Sequence, residues 1–153
     1  MGGCKPPISP GMPVSPADAA EGRSGLAVRC AGYSSRFGVW HHGIVRRLLF
    51  VPVGFAVEII HNTKGGGVAV VDWHEFAAGN PVLLHRRPES VYAADVVARA
   101  EANIGKPYYL FAQNCEHFAS FGFIGKAESE SVKAVGWMVA GVLAVAALTS
   151  DSR

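Results

Sequence analysis

An α+β fold is what this 153-residue chain predicts: an antiparallel β-sheet packed against helices, with a C-terminal hydrophobic helix after it. Three observations carry that reading. Short β-branched apolar runs separated by Gly or Pro fill the first half, as antiparallel strands require. Helical periodicity takes over from about residue 89. A charge-free apolar stretch closes the chain.

The strand candidates come in order as "LAVRC" (26–30), "VWHHGIV" (39–45), "AVEIIHN" (56–62), "GVAVVDW" (67–73) and "PVLLHR" (81–86). Then "ESVYAADVVARAEANIG" places Val91, Val96, Val97 and Ala100 at helical spacing and stops at Gly105. After "KPYYLFAQ", Asn114 reads as the N-cap of a second helix whose first turn carries Cys115. Strands followed by helices give an α+β domain.

Three regions follow from this pattern. Residues 1–25, with Pro6, Pro7, Pro10, Pro13 and Pro16 among Gly, Ser and Ala, read as a disordered leader. Residues 26–131 form the folded domain. Residues 132–150 read as a transmembrane or membrane-anchor helix, because 134–150 hold no charge and no polar face. Lys126 and Lys133 before that span and Arg153 after it favour a single-pass C-terminal anchor with the domain on the cytoplasmic side. Gly136, Ala140 and Ala144, at small-xxx-small spacing, would suit helix-mediated self-association. The bland alternative for this stretch is a buried core helix.

Composition excludes several function classes. Fourteen basic against twelve acidic residues is too balanced for nucleic-acid binding, so no nucleic-acid partner is expected. Cys4, Cys30 and Cys115 have no CxxC spacing, so neither a zinc site nor a disulfide framework is indicated, and a Cys4–Cys30 bridge is disfavoured. Scattered thiols suit a reducing compartment. "MGGCKP" has the Gly2 of a myristoyl signal but Pro6 where that signal needs Ser or Thr. No secretory signal, metal or organic cofactor is implied.

The chemistry centres on "QNCEHFASF", residues 113–121. A cysteine becomes a nucleophile when a helix N-terminus and an imidazole lower its pKa. Asn114 as cap supplies the first, and the free N–H groups of that first turn, Cys115's own among them, could hold an oxyanion. His117 lies two residues on, pointing away from Cys115. His74 and His85 sit near strand ends and read as solvated. His41, His42 and His61 lie within apolar strands, where an unmet imidazole costs free energy. Alternation puts His41 with Gly43 and His42 with Ile44 on opposite faces, while His61 shares a face with Val57 and Ile59. Two adjacent strands could thus project His41 and His61 side by side, one as base and the other as the group that orients it. Periodicity alone does not choose between His41 and His42. Structural histidines and a core cysteine remain the bland alternative.

"HHGI", "VEIIHN" and above all "NCEHFA" resemble the lecithin:retinol acyltransferase family, in particular its HRAS-like suppressor phospholipase/acyltransferase branch. The resemblance runs from about Leu26 to Val132. It implies a circular permutation of the papain-like hydrolase fold, with His41 as general base, His42 in the aromatic position after it, His61 as the polarising residue and Cys115 as nucleophile. A C-terminal membrane helix is also typical of that branch. One departure stands out: "RRLLFVPVGFA" is longer than the family's tight turn. Its tip, Leu48, Leu49 and Phe50 beside Arg46 and Arg47, suits a loop dipping into lipid, or else an extended hairpin packed on the domain.

The expected function is a membrane-anchored thiol acyltransferase or phospholipase A. It would cleave glycerophospholipid esters through a Cys115 thioester and pass the acyl group to water, an amine or an alcohol. The partners are then a phospholipid bilayer and acyl lipids. Two rivals stand beside it. A cysteine peptidase or amidase of the related cell-wall-hydrolase class would turn over peptide amides instead of lipid vesicles. A non-catalytic membrane-tethered module would keep its function after Cys115→Ser.

Overall fold

A computed structural model describes residues 9–20, 25–31, 40–52, 54–89, 92–109 and 114–150. The leader's first eight residues with Cys4, and Val39, Val91, Gln113 and Arg153, lie outside them. Among the described residues five strands form one antiparallel sheet in the order β4-β3-β2-β1-β5. They are β1 (Ala27–Ala31), β2 (Trp40–Val51), β3 (Gly54–Thr63), β4 (Gly67–Asp72) and β5 (Val82–Arg86). The helices are α1 (Pro16–Ala20), α2 (Trp73–Ala77), α3 (Ala93–Glu101), α4 (Cys115–Ile124) and α5 (Glu130–Ser150). The α+β reading therefore holds.

Both faces of the sheet are covered, which is why its strands read as near-continuous apolar runs. On one face Val28, Val45, Val57, Ile59 and Leu84 pack with Trp73 and Phe76 of α2. On the other, Ala27, Ile44, Ile60 and Val68 pack with Val96 and Ala100 of α3 and with Phe118 and Ala119 of α4. The alternation of β2 thus decides which helix each side chain meets.

The described part of the leader has structure, contrary to expectation. Met12 and Val14 bond along β5 through Val14 N–H to Val82 O at 2.8 Å and Leu84 N–H to Met12 O at 2.9 Å. Proline tolerates this because an added edge segment needs only alternate N–H groups. Pro16 opens α1, where its missing N–H costs nothing. Ser15 and Asp18 cap that helix reciprocally, at 3.2 Å for Asp18 N–H to Ser15 Oγ and 3.0 Å for Ser15 N–H to Asp18 Oδ2. Val14 and Ala19 join the core.

The segment between the histidine strands is an extended hairpin. Leu48 pairs with Val57 and Phe50 with Phe55 across it. Arg46 and Arg47 both bind Glu58 at 2.8 Å, and Arg46 also binds Glu101 at 2.6 Å. Leu48 and Leu49 are half-buried, and only Phe50 stands well exposed, at 87%. The arginines are therefore matched by carboxylates instead of being left for headgroups. The tip also lies nine residues along β2 from His41, about 30 Å at strand rise.

The anchor reading needs correction too. Residues 133–147 of α5 are exposed along its length, so it is no core helix. Yet among the described residues no helix is long and apolar enough to cross a membrane. Seventeen apolar residues rise about 25 Å as a helix, short of a hydrocarbon core of about 30 Å. The first turn of α5 instead carries Lys133, paired with Glu128 at 2.9 Å. The sidedness argued from flanking charges falls with the span.

Candidate active site

His41 and Gly43 of β2 face α2, and His61 of β3 stands directly opposite Gly43 on the same face. The diagonal brings the two imidazoles together, with His41 Nε2 2.8 Å from His61 Nδ1. Phe76 of α2 closes over both, its ring centroid 5.2 Å from His41 and 6.0 Å from His61. Gly43 makes this possible. A Cβ there would lie 2.6 Å from Ile59 Cγ2 and 2.8 Å from Phe76 Cε2.

Cys115 opens α4. Asn114 in extended conformation (φ −83°, ψ 178°) caps the helix, its side chain accepting from His117 N–H at 2.9 Å. The half-buried sulfur donates to Trp40 O at 3.7 Å and meets the backbone N–H of His42. It therefore lies against the main chain on both sides of His41. It makes no hydrogen bond to an imidazole. Burial raises its pKa above the ordinary thiol value, against the N–H groups of His42, Glu116 and Cys115 itself that lower it. Cys30 differs in kind. It is a buried free thiol bonded to Phe76 O at 3.3 Å, pushed up to about 11 by burial.

Burial also lowers His41, and it takes His61 down to about 4, with the adjacent His41 adding to the effect. Both rings are neutral near pH 7. A neutral pair sharing one proton can present a basic nitrogen, which a protonated pair cannot.

Residue 42 belongs to the other layer. His42 is buried beneath α4, its ring 4.9 Å from His85. His85, expected to be solvated, is half-buried for this reason. His117 turns away from the sulfur, as the helical spacing implies. With Asn62, Val68, Lys106 and Phe121 it lines a cavity of about 220 Å³ on the opposite flank of α4.

One residue the sequence reading passed over ties this end of the fold together. Ser129 Oγ donates to Glu116 Oε2 at 2.5 Å and accepts from Asn114 Nδ2 at 3.5 Å and Val132 N–H at 3.2 Å. It thus caps α5 while holding the residues before and after Cys115. Only the Ser-x-x-Val start of a helix hinted at it. Among the described residues no group of His, Cys, Asp and Glu could hold a metal.

Residues 53–128 match the protein-family model described as lecithin retinol acyltransferase. The matched stretch holds His61, Asn114 and Cys115, while His41 lies before it. No curated protein and no solved structure matches the chain.

Proposed function

Since the chain belongs to the lecithin retinol acyltransferase family, a family of cysteine-dependent acyltransferases and hydrolases, we propose that it is a thiol acyltransferase or phospholipase A acting on glycerophospholipid esters. The HRAS-like suppressor branch is the best fit, on "HHGI" and "NCEHFA". One observation carries the reading: the sulfur of Cys115 is held against the backbone on both sides of His41, whose far nitrogen is occupied by His61.

One tautomer of this pair supports the division of labour. With Nε2 of His41 donating to Nδ1 of His61, His41 keeps an unprotonated Nδ1 as the base for the thiol. A raised thiol pKa beside a neutral imidazole means that the resting pair is uncharged. Nδ1 takes the proton as Sγ attacks the ester carbonyl. Main-chain N–H groups at the start of α4 stabilise the oxyanion. The departing lysophospholipid oxygen then takes the proton back from His41. In the second half-reaction His41 activates water, an amine or an alcohol against the thioester.

Lipid substrates fit the position of α5. Trp137, Met138, Val142, Leu143 and Val145 are each more than 60% exposed, and the helix is capped by Ser129, which bonds the residues flanking the nucleophile. Apolar surface of that extent would associate with a bilayer and bring the thiol to its substrate. Incubation with phosphatidylcholine vesicles should add the mass of one acyl chain to wild-type protein and none to Cys115→Ala. Equal labelling of the two would overturn the reading. The same vesicles set against peptide amides distinguish the amidase.

A further inference from the structure

Among the described residues Arg29 has no ion pair, although it lies on the residue that holds the nucleophile. It pairs with His42 across β1 and β2, so both side chains face α4. Its guanidinium lies 4.4 Å over the ring of Trp40, the residue whose carbonyl accepts from Cys115. Its Nε is enclosed without a hydrogen-bond partner, and so is Nδ1 of His42, a residue only 5% exposed. An enclosed Nε–H with no acceptor is costly unless something else supplies one.

Carboxylates are near, but among the described residues none forms an ion pair with this cation. Glu116 faces His42 and His85 from α4, but its Oε2 is held by Ser129. Glu128 is paired with Lys133. Arg86 lies 5.8 Å over Phe123, adding a second positive charge to the same flank. His85 stacks on His42 at 4.9 Å. The Arg46 and Arg47 guanidiniums, by contrast, are neutralised by Glu58 and Glu101.

We propose that Arg29, seated on Trp40 and paired with His42, binds the phosphoryl group of the acyl donor and makes the site selective for phosphorylated lipids. The inference rests on the acyl-transfer reading above and deepens it. In a glycerophospholipid the phosphate is only a few bonds from the scissile esters, and Arg29 lies over the ring of Trp40, whose carbonyl accepts from the attacking sulfur. Guanidinium N–H groups match the tetrahedral oxygens of a phosphodiester, and a neutral diacylglycerol has nothing to offer them.

Two measurements on the full chain test it. In the first, Cys115 is alkylated with iodoacetamide and mapped by peptide mass, with and without glycerophosphocholine, which has the headgroup but no ester. Protection of the wild type that is lost in Arg29→Gln and regained in Arg29→Lys supports the subsite. Absent protection, or equal protection in all three, overturns it whether or not the protein proves to be an acyltransferase. Inorganic phosphate as a parallel competitor separates free phosphate from a headgroup: protection equal to that by glycerophosphocholine overturns the lipid selectivity. In the second, kcat/KM is compared for phosphatidylcholine and the matching diacylglycerol in mixed micelles. Arg29→Gln should shrink that ratio about tenfold, the order expected for a hydrogen bond to a charged group, and an unchanged ratio overturns the proposal. If headgroup protection behaves as expected but no donor acylates Cys115, the subsite stands and the catalytic reading falls.

Discussion

Nε2 of His41 and Nδ1 of His61 share a hydrogen bond of 2.8 Å, formed across the diagonal of two antiparallel strands. In the proposed mechanism that bond engages one nitrogen of His41 and leaves the other for the thiol, so the two rings play different parts. His41→Ala should lower kcat by about 10²–10⁴, the usual range for a lost general base. His61→Gln, which keeps an acceptor, should cost less than His61→Ala. Burial holds the pKa of His41 below 6.5. The acid limb of kcat/KM should therefore lie below pH 6.5, where protonation removes the base. A limb above that value would contradict the assignment.

The same burial makes folding sensitive to acid. His42 and His61 are both held down to about 4, first by desolvation. An unfolded imidazole titrates near 6.5, so between these values the unfolded chain binds protons that the fold refuses. Stability is then fully present above pH 6.5 and is lost as pH falls toward 4. Urea midpoints measured across that window should fall, and His42→Phe should flatten part of the decline.

Gly43 reports on the packing around the imidazole pair. Any Cβ there must displace Ile59 or Phe76, the latter closing over both rings. Gly43→Ala should destabilise by about 1–3 kcal/mol, and Gly43→Val by more. Chemical denaturation checks the first, and a fall in activity larger than the loss of folded protein would show that the rings have shifted.

Ser129 uses its single proton and both lone pairs at one junction. Ser129→Ala should cost about 1–3 kcal/mol through the groups it leaves unmet and should alter the alkylation rate of Cys115. Ser129→Thr, which keeps the hydroxyl, should restore both. A stability loss with an unchanged thiol rate would make the residue merely a helix cap.

The proposed binding of α5 to lipid should separate from folding. Its residues 133–147 are exposed, so little of the core depends on them. A chain ending at residue 133 should melt near the temperature of the full chain but no longer sediment with phosphatidylcholine vesicles. Retained sedimentation would move the lipid contact elsewhere on the domain.

Much of this was legible in the sequence because period-2 alternation and capping are local. The strands around His41 and His61 and the Asn114 cap follow from neighbouring residues alone. The rest depends on distance along the chain. Arg46 and Arg47 suggested headgroup contacts until Glu58 and Glu101, brought from β3 and α3, took their charges. Helix α2 is one turn long, capped by Asp72 at 2.9 Å, and too short for periodicity to register. The Ser129 junction joins α4 to α5 through side chains alone, so no composition or spacing announces it. His85 looked solvated because only the fold brings His42 beside it.

The strap formed by Met12 to Val14 along β5 has a companion at the far side of the sheet, where Val68 of β4 exchanges hydrogen bonds with Lys106 and Gly105 at 2.9 and 2.8 Å. Both outer strands are thus partly occupied by the chain's own main chain. A sheet whose rims are already engaged offers other copies little free backbone to zip onto. The proline-rich opening, which looks dispensable by composition, therefore helps to keep neighbouring molecules from adding on at β5.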